Sequence, residues 1–171
     1  TAKKLNNYSI PKIIDPVMVS KNGSKLIENS AINAYKKLLF PQAQIVTPNI
    51  FEAKLISNIE IENQEDIEKS AKIILELGPK AVLIKGGGLH NLKGKDYFID
   101  KMGNKTWFNN KFVKTSNSHG SGCTLTAAIC SYMALGFNLI ESIQKAKYFV
   151  ERSLEKSYKI GSGPGPLGHY Q

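Results

Sequence analysis

The residues best suited to chemistry stand together in Thr115-Ser116-Asn117-Ser118-His119-Gly120-Ser121-Gly122-Cys123-Thr124-Leu125. Glycine lets a backbone approach a ligand closely and take dihedrals closed to other residues. A helical pattern begins immediately afterwards, so the N–H groups of Gly120, Ser121, Gly122 and Cys123 are expected to converge on one spot. A helix start of this kind attracts anions, helped by the macrodipole. Facing a phosphoryl group, it would stabilise transition-state charge as an oxyanion hole does. Cys123 falls where a thiol pKa of about 8.5 is commonly lowered to roughly 3.5–7.5, which makes it a candidate base for an attacking hydroxyl. By itself the stretch also suits a plain glycine turn with Cys123 as a small buried hydrophobe. It is not a Walker A loop, since no Gly-Lys-Ser/Thr follows.

Strands and amphipathic helices alternate around this segment. The stretch Ile10 to Val19 reads as an apolar strand, Ile13-Ile14, running into Asp15-Pro16. Ser30 to Phe40 carries a helical stripe, with Ser30 as its cap and Pro41 at its end. Gln44 to Thr47 is a short strand stopped by Pro48. Asn49 to Ile56 is a short helix with Asn49 as N-cap, and Asn63 to Leu77 a longer one closed by Gly78-Pro79. Ala81-Val82-Leu83-Ile84 is continuous and apolar, as in a strand buried on both faces of a parallel sheet, and runs into Lys85-Gly86-Gly87-Gly88. Asp96 to Val113 reads as an antiparallel hairpin or meander turning near Lys101–Asn104. Helices are expected at Ser121 to Leu135, closed by Gly136, and at Leu139 to Tyr158, before an irregular glycine- and proline-rich tail. Ala2-Lys3-Lys4-Leu5 resembles the end of a helix. This alternation specifies α/β architecture with a mainly parallel sheet covered on both faces.

The chain has 171 residues, 42% hydrophobic and 22% charged, the size and composition of one ordinary globular domain. No apolar run approaches the ~18 residues of a membrane span, and no signal peptide opens the sequence. A soluble, cytoplasmic protein is expected. Lysine plus arginine outnumber the acids 23 to 14, giving a net charge of +9. The lysines are interleaved with acids and Arg152 is the lone arginine. That pattern suits a solvated surface, or a field for a small polyanion, better than a reader of nucleic acid. Cys123 and Cys130 lie two helical turns apart, ~10 Å, beyond disulfide reach, so both are expected to be reduced thiols. No zinc-ligand spacing occurs.

Further segments make the whole recognisable. Asp15-Pro16-Val17-Met18-Val19, Val46-Thr47-Pro48-Asn49 with Glu52, Val82-Leu83-Ile84-Lys85-Gly86-Gly87, Asn117 to Leu125, Ala146-Lys147-Tyr148 and Gly163-Pro164-Gly165-Pro166-Leu167-Gly168-His169 occur in family order. Together they resemble the hydroxymethylpyrimidine/phosphomethylpyrimidine kinases of thiamin biosynthesis, a branch of the ribokinase superfamily. Cysteine closing the Gly-x-Gly motif, where most sugar kinases of the superfamily have Asp, resembles the pyrimidine-kinase branch. The resemblance implies a ribokinase-like three-layer α/β/α fold. It also implies ATP- and Mg²⁺-dependent phosphorylation of 4-amino-5-hydroxymethyl-2-methylpyrimidine and then of its monophosphate, and a homodimer.

Phosphoryl transfer needs mainly positioning and charge neutralisation, and the remaining roles follow from that and from the resemblance. Gly120, Ser121, Gly122 and Cys123 form the catalytic turn. Asn49 and Glu52, on one helix face, would look toward the ATP phosphates and Mg²⁺; an N-cap with a first-turn acid is the plainer alternative. Asp15, ending a strand where open α/β sheets bind ligands, is a candidate for Mg²⁺ or phosphate, against a turn-forming Asp-Pro. Val17 resembles a wall of the pyrimidine pocket, or is core. Lys85 would pair with nucleotide phosphates or snorkel to water. Lys147 resembles a nucleotide-contacting lysine, with plain exposure as its alternative. His119 is expected to stabilise a turn, and His169 to do no chemistry.

The resemblance covers the C-terminal portion of such a kinase. Members begin with a strand, a glycine-rich Asp-containing loop and a lid region that supply much of the pyrimidine recognition, and none of these is in the 171 residues. His169-Tyr170-Gln171 reads as a natural C-terminus, so the N-terminal strands are expected to be missing from a single domain spanning 1–171. That would leave an open sheet edge and little turnover by this chain alone. Gly168 stands where the family usually has Asn. Two other readings compete: a pyridoxal kinase of the Gly-x-Gly-Cys branch, and a non-catalytic nucleotide-binding remnant.

Overall fold

A computed structural model describes residues 2–20 and 24–170. Thr1 and Gln171, which entered the reading of the two ends, lie outside the described residues. The chain divides into two compact units, residues 1–108 and 109–171.

The first unit is built on a five-stranded sheet in sequential order: β1 (Ile13–Ile14), β2 (Ile45–Val46), β3 (Ala81–Lys85), β4 (Lys95–Asp100) and β5 (Lys105–Asn109). β1, β2 and β3 run parallel in the register Ile14–Val46–Val82, whereas β4 pairs antiparallel with β3, Leu83 facing Phe98. The sheet is therefore mixed. The parallel half comes from helical crossovers, and the antiparallel half follows from the tight turn at 101–104, which can only return the chain alongside itself. β1 ends the sheet, with β2 as its only neighbour among the described residues.

Helices α1 (Ala2–Leu5), α2 (Asn29–Ala34), α3 (Ile50–Ser57) and α4 (Gln64–Glu76) complete this unit. α4 turns one face inward: Ile67, Ala71 and Ile74 are fully buried in one cluster with Val46, Val82, Ile84 and Ile99. Each buried isoleucine contributes roughly 1.5–3 kcal/mol. Ile45, Leu83 and Phe98, on the alternate strand positions, are buried too, so the central strands are covered on both faces as their apolar runs predict. The helix expected over Ser30 to Phe40 is different. It starts at Asn29 behind Glu28, with no side-chain cap, and the Ser30 hydroxyl instead donates to Glu28. After Ala34 it widens into a π-turn, Tyr35–Leu39, with Phe40 N–H bonding Tyr35 O, and tightens to a 3₁₀ turn at Phe40–Gln42. Pro41 explains the break, because it lacks an N–H and its ring displaces the carbonyl four residues back.

The second unit holds two helices packed on one another, α5 (Ser121–Ala134) and α6 (Leu139–Glu155). α6 opens with a reciprocal cap in which Asn138 Oδ1 accepts from Glu141 N–H and Glu141 accepts from Asn138 N–H. Ile143 and Ala146 are fully buried. Among the described residues no helix is long and apolar enough to cross a membrane.

Candidate functional site

The candidate residues fall into two groups, one in each unit. In the first unit, strand ends and the start of α3 bring four of them together. Asn49 is the N-cap of α3: its Oδ1 accepts from Glu52 N–H at 2.9 Å, and Glu52 Oε2 accepts from Asn49 N–H at 2.8 Å. The second Glu52 oxygen accepts from Met18 N–H at 3.2 Å. Glu52 is 2% exposed. Burial pushes its carboxyl above the usual glutamate value, against the Asn49 amide, the Lys85 charge and the Met18 amide, while neighbouring Asp15 pushes the same way as burial. Both side chains of the Asn-x-x-Glu pair are thus spent on backbone, and Glu52 ties the loop after β1 to α3.

Lys85 neither snorkels nor presents an isolated charge. Its Nζ lies 2.8 Å from Asp15 Oδ1, with the two side chains 13% and 15% exposed. Its backbone N–H donates to Pro48 O, and Asn49 and Lys85 form an isolated parallel bridge that prolongs the pairing of β2 and β3. Val17 is 46% exposed, so the core alternative for it is wrong. Asp96 was not singled out from sequence. It is buried and accepts from Gly86 N–H at 3.0 Å, holding the loop beyond Lys85. A Cβ on Gly86 would run into Lys95 O, so the close approach requires glycine. The sequence signal for Asp96, an acid ten residues past a glycine, is too weak to have found it.

The carboxylates present here define what metal could be held. Among the described residues no group of three or more His, Cys, Asp or Glu could hold an ion by itself. Asp15 is near enough to push the Glu52 carboxyl up, but Asp15 is ion-paired and Glu52 is already bonded through both oxygens. Such a set fits Mg²⁺, which keeps several waters and usually uses one or two carboxylates together with substrate phosphates. It does not fit a fully protein-built cage.

In the second unit the glycine-rich turn has the predicted form. Gly120 takes φ 87°, ψ 0°, a left-handed conformation open to glycine at little cost, and serves as the N-cap of α5 without any side-chain cap. Thr124 N–H donates to Gly120 O at 2.9 Å, closing the first turn. The amides of Ser121, Gly122 and Cys123 therefore occupy the positions that lack intrahelical acceptors; Ser121 N–H makes a long 3.4 Å contact with Ser118 O. Cys123 sits at the third helical position and is exposed, which overturns the buried-hydrophobe alternative. Neither Cys123 nor Cys130 is in a disulfide. Lys147, on α6, is only 6% exposed, so the plain surface alternative fails for it as well. His119 is exposed, and its backbone N–H donates to Gly165 O at 3.2 Å, a turn role.

Known proteins match this chain along almost its whole length. The phosphomethylpyrimidine kinase family model covers residues 1–168. A hydroxymethylpyrimidine/phosphomethylpyrimidine kinase of Synechococcus elongatus is 43% identical over 162 residues, 94% of this chain and 61% of the relative. Among solved structures, pyridoxal kinase from Staphylococcus aureus in complex with AMP-PCP and pyridoxal superposes with TM-score 0.88 at 32% identity, over 98% of this chain and 61% of that one. Phosphomethylpyrimidine kinase from Clostridium difficile superposes with TM-score 0.75 at 35% identity, over 88% and 60%. The chain spans about 60% of the length of the curated relatives it matches.

Proposed function

The chain belongs to the phosphomethylpyrimidine kinase family, and on that premise we propose that its activity is ATP-dependent phosphorylation of 4-amino-5-hydroxymethyl-2-methylpyrimidine and of its monophosphate in thiamin diphosphate biosynthesis. The observation that carries this reading is the Gly120 turn, left-handed and uncapped by any side chain, with Cys123 two residues into the helix it opens. The Cys123 thiolate takes the proton of the hydroxymethyl group while that oxygen bonds the γ-phosphorus and the bridging bond to ADP breaks. The amides of Gly120, Ser121, Gly122 and Cys123 hold the charge on the phosphoryl oxygens, a donor set whose members are each worth roughly 10²–10³ in rate.

In this reading the other candidate residues position and neutralise. Lys85 in the first unit and Lys147 in the second serve the nucleotide, and Asn49 and Glu52 organise nucleotide and metal. Val17, exposed on the loop that Glu52 anchors through Met18, forms a wall for the pyrimidine. Mg²⁺ supplies charge neutralisation on the phosphates when bound, and Asp15 and Glu52 are the carboxylates that would hold it. The working form in this reading is a cytoplasmic homodimer without nucleic acid.

A second reading, phosphorylation of pyridoxal, is supported by the likeness to a pyridoxal kinase structure holding pyridoxal. ADP release assayed with each alcohol separates the two. In a protein of the relatives' full length, Cys123→Ala should lower turnover of the preferred substrate at least about 100-fold, in the range of general-base losses, with AMP-PCP affinity retained. Near-normal turnover in that variant would remove Cys123 from the mechanism.

A further inference from the structure

The tail that follows α6 touches the glycine-rich turn on both sides. On one side Gly165 N–H donates to Asn117 Oδ1 at 3.0 Å, and Gly165 O accepts from His119 N–H at 3.2 Å. On the other, His169 Nε2 and Thr124 Oγ1 lie 3.0 Å apart, and Thr124 is the residue whose N–H closes the first turn of α5. Between these points the tail is pinned to the end of α6 and beyond: Gly168 N–H donates to Ser153 O at 3.0 Å, Tyr158 N–H to Pro166 O at 3.4 Å, and Leu167 is buried. The His169 ring lies parallel to Phe149, 6.2 Å between centroids. Its path also explains two glycines. A Cβ on Gly165 would strike Tyr158 O, and one on Gly168 would strike Lys156 O, so the Asn usual at 168 in the family cannot follow this backbone.

We propose that Asn117 and His169 are positioning residues, which clasp residues 165–169 to the two sides of the Gly120 turn and so fix the direction of the Ser121, Gly122 and Cys123 amides. The turn needs such a device because Gly120 brings no side chain to cap α5 and carries the backbone freedom of a glycine. Asn117 is a good clasp because its oxygen is held by a partly buried bond. His169 acts through the Thr124 hydroxyl, one residue beyond the amides at stake. The proposal rests on the reading of this turn as the phosphoryl site.

Two measurements on the full chain keep the failure of each apart. Without ligand, ¹⁵N-resolved spectra of Asn117→Ala, His169→Ala and Thr124→Val should show displaced and faster-exchanging amides at 121–123, with the first turns of α6, residues 139–145, unmoved because the tail meets that helix only further on, at Phe149 and Ser153, and His169→Gln should restore the pattern. Unchanged 121–123 amides would overturn the proposal whatever the function of the turn. With Mg²⁺ and AMP-PCP, the three disruptive variants should each weaken binding about three- to tenfold, the net worth of one hydrogen bond, while adenosine affinity stays constant. The His169→Ala/Thr124→Val pair should lose no more than either single change. Equal loss for adenosine and AMP-PCP would reduce the two residues to general structural support. Absent AMP-PCP binding by the unmodified chain would instead refute the phosphoryl reading and leave the amide result to stand or fall alone.

Discussion

Replacing Lys85 by methionine tests whether the Asp15–Lys85 pair holds the first unit together. At 2.8 Å the gross attraction is about 6 kcal/mol for an effective dielectric of ~20. Desolvation of both groups offsets most of it, and replacing both charges by neutral groups should cost about 1 kcal/mol or less. Removing one partner is another matter. Lys85→Met strands the Asp15 carboxylate in a site only 15% exposed, close to Glu52, whose carboxyl Lys85 pulls down and Asp15 pushes up. Full burial would put the loss at ~3–5 kcal/mol and a surface pair at ~0–1. The partial burial of both side chains therefore sets the expectation at about 2–4 kcal/mol. Urea unfolding at pH 7 reads it as a fall in midpoint at constant slope. Asp15→Asn combined with Lys85→Met should recover at least about 1.5 kcal/mol of what the single changes lose together. A single-variant loss below ~0.5 kcal/mol, or strict additivity in the pair, would refute the reasoning.

Three further outcomes follow from buried groups. Among the described residues the buried Tyr97 hydroxyl has no hydrogen-bond partner, so Tyr97→Phe should raise stability by about 1 kcal/mol. Burial, and then the Glu68 charge, push the Tyr97 phenol up to about 12, so the unmodified protein should also lose stability relative to Tyr97→Phe as pH rises from 10 through about 12, read by thermal melting. Glu52 has a folded-state pKa above its unfolded value of 4.5, so its contribution is most favourable at low pH and declines as pH rises past the unfolded value. Glu52→Gln should abolish that decline, on top of a pH-independent loss of about 1–3 kcal/mol from the backbone amide its NH₂ cannot satisfy; parallel pH–stability curves would contradict this. Gly86→Ala should cost about 2–3 kcal/mol, because the new methyl meets the Lys95 carbonyl; an unchanged urea midpoint would be incompatible with that close approach.

Features written in contiguous residues were legible in the sequence. Asn49 with Glu52 three residues on is a capping-box spacing, and it is formed. The Gly120 turn was legible because a left-handed residue before a helical pattern calls for glycine. The mixed character of the sheet is half-visible in the sequence, since the turn at 101–104 marks an antiparallel pair, whereas the antiparallel pairing of β4 with β3 follows a glycine-rich loop whose direction no local residue pattern fixes. The Asp15–Lys85 pair was out of reach, as its members are 70 residues apart. β2 stands between their strands, so the chain crosses roughly 9–10 Å of sheet before an aspartate and a long lysine can meet, and only register decides that they do. The clasp at His169 failed to register for the same reason, its partner being 45 residues away. The π-turn at Tyr35–Leu39 left no trace beyond Pro41, because propensities for neighbouring helix types scarcely differ.

The two units handle charge in opposite ways, and this bears on how an anion is gripped. In the first unit each candidate charge is already answered: Lys85 by Asp15, Glu52 by two amides. A phosphate arriving there competes with an existing partner, and its binding energy is reduced by the cost of displacing it. In the second unit Gly120, the N-cap of α5, brings no side chain to cap the helix. The dipoles of the amides at its start are fixed by the fold, so little reorganisation is needed when charge develops in front of them. Selectivity for the transition state over the ground state requires fixed dipoles of that kind, since donors that must first leave a carboxylate gain little at the moment of transfer. The net charge of +9 acts at longer range, drawing polyanions to the surface, and under the proposed function discrimination would rest on the backbone geometry at Gly120 and Gly122.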